Sequence, residues 1–573
     1  MTNQEIAKVL YEMAALLEME GVAFKPRAYE KAAMAVEALD TDVRDIHKNG
    51  GLKALAVIPG VGRGIAGHLE SLLKTNTFSE YKALKKKTPV DIAGLTAVEG
   101  VGPKMVKILW QKLHIRTLAD LERAARAGKI RALARFGKKS EEKILKGVEF
   151  LKSSGTRRVL GFLLPEIRQI EKMIQDFPEV DMAMVAGSVR RRRETIGDID
   201  ILASSAHPEK VMERFLALPM IAHVYATGST KTNVKLKNGL DADLRVVPKK
   251  SWGAALNYFT GSKDHNIVLR EIAIKKGLKL NEYGLFRGKK MIAGKNEEEL
   301  YKTLGLRTIE PEMREMAGEI EASCADKLPK LIGYGDLKGD LQVQTDWTDG
   351  EDSIEKMAHG ARDMGLEYIA ITDHTRSLAM TGGADEKKLA RQGEAIDKLN
   401  KKFKNTKFRI LKGAEVNIDK NGLLDIDDAA LAKLDVVGAA VHSHFNLPRK
   451  EQTERVARAM QNPHVDIIFH LTGRIIGKRG PIDLDIDEII ECARRTKTVL
   501  EIDAFPDRLD IRDEYVRKCV AAGVKMSIDS DAHAVGHFKY LEHGIAAARR
   551  GWAGKKDIIN AWPLEKMKSF LKH

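Results

Sequence analysis

The chain has 573 residues, 43% of them hydrophobic and 31% charged, which is long enough for several domains because one hydrophobic core rarely serves more than about 300 residues. No apolar run approaches the roughly 18 residues of a membrane helix, so we expect no membrane partner, and Cys324, Cys492 and Cys519 are too scattered for a disulfide framework. The formal net charge of +15 favours a polyanionic partner. We therefore expect a multidomain protein of the reducing cytoplasm.

Residues 1–152 are predicted to be all helical. Apolar side chains recur at helical spacing in Ile6, Leu10, Met13 and Leu17. The region shows no convincing strand pattern. We place a first helical unit at residues 1–88 and a second at residues 89–152.

Two glycine turns in this region have the form of a helix-hairpin-helix. Gly60 and Gly62 precede one apolar helical run, and Gly100 and Gly102 precede another. Glycine lets such a turn approach a nucleic acid closely, where amides of the next helix can bond a phosphate oxygen. A single turn is as easily a plain helix connection, but two on a basic chain predict DNA-backbone binding without sequence readout. A third, weaker copy starts at Arg135.

A pair of aspartates begins an apolar strand in the α/β pattern that starts near residue 180. Asp198 and Asp200 alternate with Ile199 and Ile201, so the two carboxylates lie on one face of the strand. Asp243, on a later apolar strand, can complete the cluster. Crowded carboxylates need cations, and oxygen ligands favour Mg²⁺ or Mn²⁺. Two such ions roughly 3.5–4 Å apart would activate a primer 3'-hydroxyl.

The turn upstream of these aspartates is suited to a triphosphate. Gly187, Ser188 and Arg191 offer amide, hydroxyl and guanidinium donors. An isolated Asp-x-Asp is more often a solvated strand edge, but this turn and the third aspartate argue against that interpretation. The arginines from Arg190 to Arg193 also fit a partly solvated basic loop.

The C-terminal region follows a proline- and glycine-rich connection and alternates strand-like runs with helical stretches. A parallel barrel gathers its site at the carboxyl ends of its strands, and histidine is the commonest metal ligand. A lone histidine is more often structural, but several at successive strand ends predict a metal site. The candidate ligands are Asp349, Asp373, His374, Glu415, His442, His444, His470, Asp531 and His533.

The central motifs resemble the palm of family X DNA polymerases, to which polymerase beta belongs. Gly187-Ser188, Gly197 to Asp200 and Asp243 to Arg245 match it in order and spacing, and Tyr258 to Ser262 resembles the motif beside the incoming sugar. The resemblance implies that Asn266 meets the minor-groove edge of the base and that Arg270 meets the templating side. The implied nucleotide-binding residues are Gly187, Ser188, Arg191, Gly197, Tyr258, Phe259, Gly261, Asn266 and Arg270. The expected DNA contacts are Gly60, Gly62, Gly100, Gly102, Lys25, Lys231 and Arg245.

The C-terminal motifs resemble the PHP family of phosphoesterases, which in family X enzymes supplies a 3'-5' exonuclease. The resemblance implies a Zn²⁺ or Mn²⁺ site whose ligands are Asp349, His374, Glu415, His442, His470, Asp531 and His533. The first family motif, however, is a histidine pair, and Gln342 and Gln344 stand at those positions. Because a carboxamide oxygen is a weak ligand, we expect reduced metal occupancy and an impaired exonuclease.

These resemblances together predict the fold class and the domain boundaries. We expect a multidomain protein with an all-α helix-hairpin-helix N-terminal region, an α+β nucleotidyltransferase palm and thumb, and a C-terminal distorted (β/α)7 barrel of the PHP type. The helical units would be a lyase-like DNA-binding domain (1–88) and a fingers-type domain (89–152). The palm would span residues 153–250, the thumb 251–315, a linker 316–336 and the PHP domain 337–573. The expected activity is template-directed gap filling by a monomer, with gapped or primed duplex DNA and a dNTP as substrates.

The N-terminal domain departs from the family at one position. Lys25, Tyr29 and Lys31 resemble residues that support removal of a 5'-deoxyribose phosphate by a lysine nucleophile, but His68 stands at the nucleophile position. An imidazole cannot form the imine that a lysine amine forms. We therefore expect weak or absent lyase activity.

Two other classes of function fit part of the sequence. A nucleotidyltransferase that copies no template would share Gly187-Ser188 and the aspartate pair, but the hairpins and the motif from Tyr258 to Gly261 favour templated DNA. Alternatively, the polymerase half could be a DNA-binding scaffold for the phosphoesterase, an interpretation that Gln342 and Gln344 disfavour. Primer extension that ignores the template would favour the first class, and hydrolysis that survives Asp198→Ala and Asp200→Ala with no loss of biological role would favour the second.

Overall fold

The N-terminal region is helical wherever the structure describes it. The computed structural model describes residues 1, 3–37, 39, 41–58, 60–98, 100–133, 136–153, 157–378 and 381–572. The helices are α1 (Asn3–Glu20), α2 (Lys25–Glu37), α3 (Val43–Leu55), α4 (Arg63–Thr75), α5 (Ser79–Lys87), α6 (Ile92–Thr96), α7 (Pro103–Leu113), α8 (Leu118–Arg126) and α9 (Lys138–Ser153). Ile6, Leu10 and Met13 point from one face of α1 into the shared core, as their helical spacing predicts. The all-α prediction for this region is confirmed.

The palm is a five-stranded mixed sheet with helices packed against it. Its elements are β1 (Arg158–Val159), α10 (Leu160–Gln175), β2 (Met182–Val185), α11 (Gly187–Arg190), β3 (Thr195–Ile196), β4 (Asp198–Ser204), α12 (Pro208–Leu216), β5 (Ile221–Thr227), β6 (Lys231–Leu236) and β7 (Asp241–Val247). The strand order is β2-β4-β7-β6-β5, and β1 pairs with β3 separately. Only β4 and β7 run parallel within the larger sheet. That pairing brings the two aspartate-bearing strands side by side.

The thumb combines helices with a small antiparallel sheet. Its elements are α13 (Trp252–Thr260), α14 (Lys263–Lys275), β8 (Lys279–Asn281), β9 (Gly284–Arg287), β10 (Lys290–Ala293) and α15 (Glu297–Thr303). The segment expected to be a linker contains α16 (Glu319–Cys324), whose Glu319 is buried against His265. The connection from thumb to barrel is therefore packed against the thumb.

The C-terminal region is a nearly closed parallel barrel of seven strands in sequential order, which confirms the predicted fold. Its elements are β11 (Gly339–Val343), α17 (Ile354–Asp363), β12 (Tyr368–Ile371), α18 (Glu386–Lys402), β13 (Arg409–Asn417), α19 (Asp428–Leu431), β14 (Val436–Ala440), α20 (Arg449–Gln461), β15 (Ile467–Ile468), α21 (Ile486–Thr496), β16 (Val499–Asp503), α22 (Asp513–Ala522), β17 (Met526–Asp529), α23 (Leu541–Arg550) and α24 (Leu564–Lys568). The backbone N–H of Gln344, just after the first strand, donates to the backbone carbonyl of Ala532, just after the last strand (2.8 Å). Within the described ranges, no helix has the length and apolar character needed to cross a membrane.

Candidate active sites

Three aspartates converge on one face of the palm sheet. Asp200 on β4 pairs in register with Asp243 on β7, and Asp198 lies two residues before Asp200 on the same face. The alternate residues Ile199 and Ile201 are fully buried on the opposite face. Successive side chains of a pleated strand point to opposite faces, which is why the aspartates and the isoleucines lie on different sides of the sheet.

The electrostatics of this cluster favour a bound cation. Burial, followed by the negative charges of Asp198 and Asp243, raises the pKa of Asp200 to about 6, although Arg191 and Arg245 act in the opposite direction. Like charges held this close are stable only when cations neutralise them. The donors are all carboxylate oxygens, so they fit Mg²⁺ or Mn²⁺ better than a softer metal.

The turn at Gly187 lies directly against the carboxylates. Gly187 has a φ of 58°, and a Cβ at this position would lie 2.1 Å from Asp200 Oδ2. Only glycine satisfies both the left-handed backbone and this close approach. The turn therefore holds Ser188 next to the aspartates, as the sequence predicts.

A cavity of about 390 Å³ opens beside the turn and the first two aspartates. Its lining residues are Arg157, Gly187, Ser188, Arg191, Asp198, Asp200, Tyr258, Phe259, Gly261, Lys263, Asn266 and Arg270. All the expected nucleotide-binding residues except Gly197 are in this lining, and Gly197 directly precedes β4. Arg157 and Lys263 are additional cations that the sequence interpretation missed. Lys263 directly follows the motif that ends at Ser262, whereas Arg157 lies beside no predicted motif.

The neighbouring arginines differ in their partners. Arg190 donates to Glu297 (2.6 Å) and to the Thr260 hydroxyl (2.7 Å), so it joins the palm to the thumb. Arg191 donates to Glu315 (2.8 Å) and to the Thr260 carbonyl while also lining the cavity. Of these two arginines, only Arg191 lines the cavity.

The thumb residues at the cavity are held by one another. The Asn266 amide donates to the Tyr258 carbonyl (2.7 Å), and Arg270 Nε donates to the Asn266 carbonyl (3.3 Å). The guanidinium of Arg245 lies 4.8 Å from the Phe259 ring centre. Lys231 Nζ is 3.8 Å from Asp243 Oδ2. Lys231 and Arg245, two of the three basic residues expected to contact DNA, thus lie beside the face that carries the aspartates.

The two glycine hairpins have closely similar geometry. Gly60 and Gly100 adopt φ values of 70° and 81°, and Gly62 and Gly102 directly precede α4 and α7 without a side-chain cap. The first-turn amides of such a helix are available to an anion. In the weaker third copy, Arg135 lies outside the described residues.

His68 lies in an aromatic stack in the N-terminal domain. Its Nδ1 is 2.7 Å from the Tyr29 hydroxyl, and its ring stacks on Phe78 at 4.2 Å. Burial lowers the pKa of His68. Lys25 pairs with Glu80 (3.2 Å), whereas Lys31 donates to the Gly350 carbonyl in the barrel (3.2 Å).

The barrel gathers histidines and carboxylates at the carboxyl ends of its strands. Glu415 is the centre: His374 Nδ1, His442 Nε2 and His470 Nε2 lie 3.4, 3.0 and 2.8 Å from its carboxylate. Burial alone would raise the pKa of Glu415, but these histidines hold it well below its usual value. Asn417 Oδ1 lies 2.7 Å from His442 Nδ1, which orients Nε2 toward the centre.

A second group of ligand atoms adjoins the first. Asp349 Oδ2 lies 3.6 Å from His374 Nε2 and 3.8 Å from His533 Nε2. Both groups, Asp349-His374-His533 and His374-Glu415-His442, are compact enough to hold an ion. Mixed imidazole and carboxylate donors of this kind fit Zn²⁺ or Mn²⁺. His470 and Asp531 also have left-handed backbones (φ 27° and 51°), a strained conformation that is enriched at functional sites.

The two glutamines lie inside this ring. Gln342 Nε2 and Gln344 Nε2 donate to Glu415 Oε2 at 3.2 and 2.8 Å. Their amide oxygens are buried without a hydrogen-bond donor among the described residues. The glutamines therefore stand where ligands would stand, but they present amide hydrogens to the central carboxylate.

Not every candidate ligand reaches the ring. Asp373 accepts hydrogen bonds from Thr345, Thr348 and Gln392 (2.5–2.8 Å), so its side chain holds neighbouring segments together. His444 is exposed, with Nδ1 3.0 Å from the Ser443 hydroxyl. The sequence interpretation offered both residues because each lies at or just past the end of an apolar run.

Arg508 was missed by the sequence interpretation. Its Nε lies 3.4 Å from both Asp503 Oδ2 and Asp531 Oδ2. The guanidinium thus neutralises the acidic side of the ring. No pattern in the loop after β16 marks this arginine as part of a site.

The fold defines a polymerase-beta-like chain that ends in a PHP-type barrel. Residues 1–78 match the family described as helix-hairpin-helix domain, and residues 92–149 match the SAM-like helix-hairpin-helix tandem family. Residues 255–315 match the DNA polymerase beta thumb family, and residues 340–505 match the PHP domain family.

Curated relatives agree with this assignment. "DNA polymerase/3'-5' exonuclease PolX" of Bacillus subtilis (strain 168) is 38% identical over 577 residues, covering 100% of each chain. "DNA polymerase lambda" of Arabidopsis thaliana is 24% identical over 55% of this chain and 62% of the relative. A "probable phosphatase" of Thermoanaerobacter sp. is 28% identical over 38% of this chain and 88% of the relative. The chain belongs to the family X DNA polymerases that carry a C-terminal PHP domain.

Proposed function

We propose that this protein is a template-directed DNA polymerase that adds dNTPs to a primer 3'-hydroxyl. The observation that carries the proposal is the in-register pairing of Asp200 with Asp243. Asp198 lies on the same face, and the Gly187-Ser188 turn lies directly against Asp200. The aspartates border a cavity of about 390 Å³, which supports binding of a divalent metal and a triphosphate side by side.

In this proposal the carboxylates of Asp198, Asp200 and Asp243 hold Mg²⁺ or Mn²⁺. When bound, two such ions supply Lewis acidity at the attacking hydroxyl and at the departing pyrophosphate. Ser188 and Arg191, which line the same cavity, bind the triphosphate beside these carboxylates.

The thumb residues of the cavity orient the nucleotide. Tyr258 and Phe259 form the wall against which the sugar lies, and Gly261 lets it approach closely. Asn266 reaches the minor-groove edge of the base, and Arg270 reaches the templating side. The hydrogen bond from Asn266 to the Tyr258 carbonyl (2.7 Å) couples these contacts.

The DNA partner is a gapped or primed duplex. The uncapped helix starts after Gly62 and Gly102 supply amides to the phosphate backbone, with Lys25, Lys231 and Arg245 adding positive charge. Because these contacts read no bases, the protein would act at gaps of any sequence. We place this activity in the filling of short gaps during base excision repair, carried out by a monomer in the cytoplasm.

The barrel is proposed to be a 3'-5' exonuclease of reduced activity. Its imidazole and carboxylate ligands would hold Zn²⁺ or Mn²⁺, which polarise a phosphodiester for hydrolysis. Gln342 and Gln344 engage Glu415 through amide hydrogens, so we expect low metal occupancy at their side of the ring.

The test is Mg²⁺-dependent extension of a primer across a short gap, with each of the four templating bases. Wild type should insert the complementary nucleotide, and Asp243→Ala should lose activity on the order of a thousandfold, since metal catalysis contributes several kcal/mol. The control is Asp241→Asn on the same strand, whose carboxylate pairs with Lys235 (2.9 Å) and whose loss should leave extension nearly unchanged. Insertion that ignores the template would instead indicate a non-templated nucleotidyltransferase.

A further inference from the structure

The palm segment between the Ser188 turn and the catalytic strand is held from outside by the barrel. We call residues 191–196 the palm loop. Arg474 of the barrel forms a bidentate pair with Glu194 of this loop (2.6 and 3.1 Å). Arg550 of the barrel donates to the Arg192 carbonyl and lies 3.8 Å from Glu194 Oε1. Two barrel arginines therefore bind the same loop of the palm.

Both arginines are fixed within the barrel. Arg474 also donates to the Leu509 carbonyl, and Arg550 Nε donates to Asp513 (2.8 Å). Each arginine is only 6% exposed. A buried bidentate pair has a defined geometry, and removing one partner would leave a buried charge uncompensated. The position of Glu194 relative to the barrel is therefore well defined.

Both ends of the palm loop are connected to residues that line the cavity. At one end, Arg191 lines the cavity. At the other end, Thr195 pairs with Val159 in the β1-β3 ribbon and accepts hydrogen bonds from Arg157 (2.5 and 3.1 Å), which also lines the cavity. Two residues beyond the loop's end, after Gly197, the chain enters β4 at Asp198. A shift of Glu194 would move Arg157, Arg191 and Asp198 together.

We propose that Arg474 and Arg550 are positioning residues for nucleotide addition, so that the barrel is a structural support of the polymerase site independently of its own hydrolytic chemistry. The inference rests on the proposed polymerase activity. Arg474 lies four residues after His470, which means that the loop carrying a nuclease ligand also holds the palm loop. Misplacement by about 1 Å can cost on the order of a hundredfold in rate, so a contact outside the cavity is sufficient to affect catalysis.

The experiment compares full-length Arg474→Ala, Glu194→Gln and wild type in single-nucleotide gap filling. We expect kcat to fall about 10- to 100-fold in both variants, with less change in the KM for dNTP and an unchanged Kd for gapped DNA. The conservative variant Arg474→Lys, which keeps a positive charge beside Glu194, should retain part of the kcat that Arg474→Ala loses, a rescue that general destabilisation would not give. Glu194→Gln keeps the side-chain shape and decides the question if Arg474→Ala does not fold.

The matched control is Arg168→Ala. Arg168 forms another bidentate palm-barrel pair, with Glu542 (2.6 and 2.9 Å), but is not part of the palm loop. Glu542 also lies 3.8 Å from Arg192 of the loop, and that contact remains when Arg168 is removed, so the loss of Arg168 should leave kcat unchanged. Wild-type kcat in both Arg474→Ala and Glu194→Gln, or an equal loss in Arg168→Ala, would overturn the proposal. Absence of extension by wild type would instead refute the polymerase function itself, and the two failures are therefore distinguishable.

Discussion

Asp200 and Asp243 occupy directly paired positions on the two parallel strands of the palm, and the pKa of Asp200 is raised to about 6 by burial and by the charges of Asp198 and Asp243. At neutral pH the Asp200 carboxylate is therefore ionised although its burial and its acidic neighbours disfavour the charge. This is the arrangement expected when a site is built for cations and not for stability.

Replacing Asp200 by Asn should stabilise the metal-free protein while abolishing primer extension. The carboxyl pKa is about 6 in the folded state and about 3.9 in an unfolded chain. The cost of the ionised group is therefore fully present above pH 6, shrinks between pH 6 and 4 and is absent below pH 4. We expect Asp200→Asn to raise the free energy of unfolding of the palm by about 2–3 kcal/mol above pH 6. Calorimetry with EDTA, near neutral pH and near pH 4, measures this difference.

Asp241→Asn is the control for this prediction, because Asp241 pairs with Lys235 at 2.9 Å and its removal should not stabilise the palm. A gain for Asp200→Asn that is the same at both pH values would show that charge is not the cause.

Gly187→Ala should inactivate nucleotide addition and leave the fold intact. The new Cβ would lie 2.1 Å from Asp200 Oδ2 at a backbone φ of 58°, so the turn or the carboxylate must shift. Gap-filling rate and the thermal midpoint are the two measurements, and we expect a loss on the order of a hundredfold in rate. Gly335→Ala is the control, since a Cβ there meets nothing within 4 Å. Normal activity of Gly187→Ala would mean that the close approach to Asp200 has no role.

Local sequence pattern was sufficient to predict which face of the palm sheet carries the aspartates. The alternation of Asp198 and Asp200 with isoleucines fixes which way each side chain points, because one face of the strand must be buried. Pattern assigned Arg191 to the triphosphate but gave Arg190 no role beyond that of a partly solvated basic loop. Their roles differ because Glu297, from a distant helix of the thumb, binds Arg190, and such long-range pairs leave no local signal.

The barrel shows the same division between local and long-range information. The strand ends that carry His374, His442 and His470 are predictable from apolar runs followed by polar residues. Asp373 immediately precedes His374, yet its carboxylate does not join the ring. It accepts hydrogen bonds from Thr345, Thr348 and Gln392 on other segments. Which residue of a motif reaches the site therefore depends on neighbours that only the closed barrel brings together.

Restoring histidines at positions 342 and 344 should increase both metal content and hydrolysis. In the present chain the two glutamine amides donate to Glu415 Oε2 (3.2 and 2.8 Å), and imidazoles there would supply ligand nitrogens instead. We expect the Gln342→His, Gln344→His double variant to gain on the order of tenfold or more in Mn²⁺ affinity, with faster 3'-5' degradation of a primer. Elemental analysis and a primer-degradation assay provide the two readouts.

The control for this variant is Gln452→His. Gln452 is also a buried glutamine, but it donates to the His444 carbonyl (2.9 Å) outside the ring, so metal content should stay at the wild-type value. If the double histidine variant binds no more metal than wild type, the assignment of the ring is wrong.

The N-terminal domain should fail to form a covalent adduct with an incised abasic site. His68 stands at the position of the nucleophile, its Nδ1 is engaged by the Tyr29 hydroxyl (2.7 Å) and burial lowers its pKa, so it presents a neutral imidazole that cannot form an imine. Borohydride trapping should give no adduct with wild type and a measurable adduct with His68→Lys, which supplies the missing amine. His68→Ala is the control and should resemble wild type. An adduct of wild type in the yield of a true lyase, retained in His68→Ala, would show that another amine of this domain is the nucleophile.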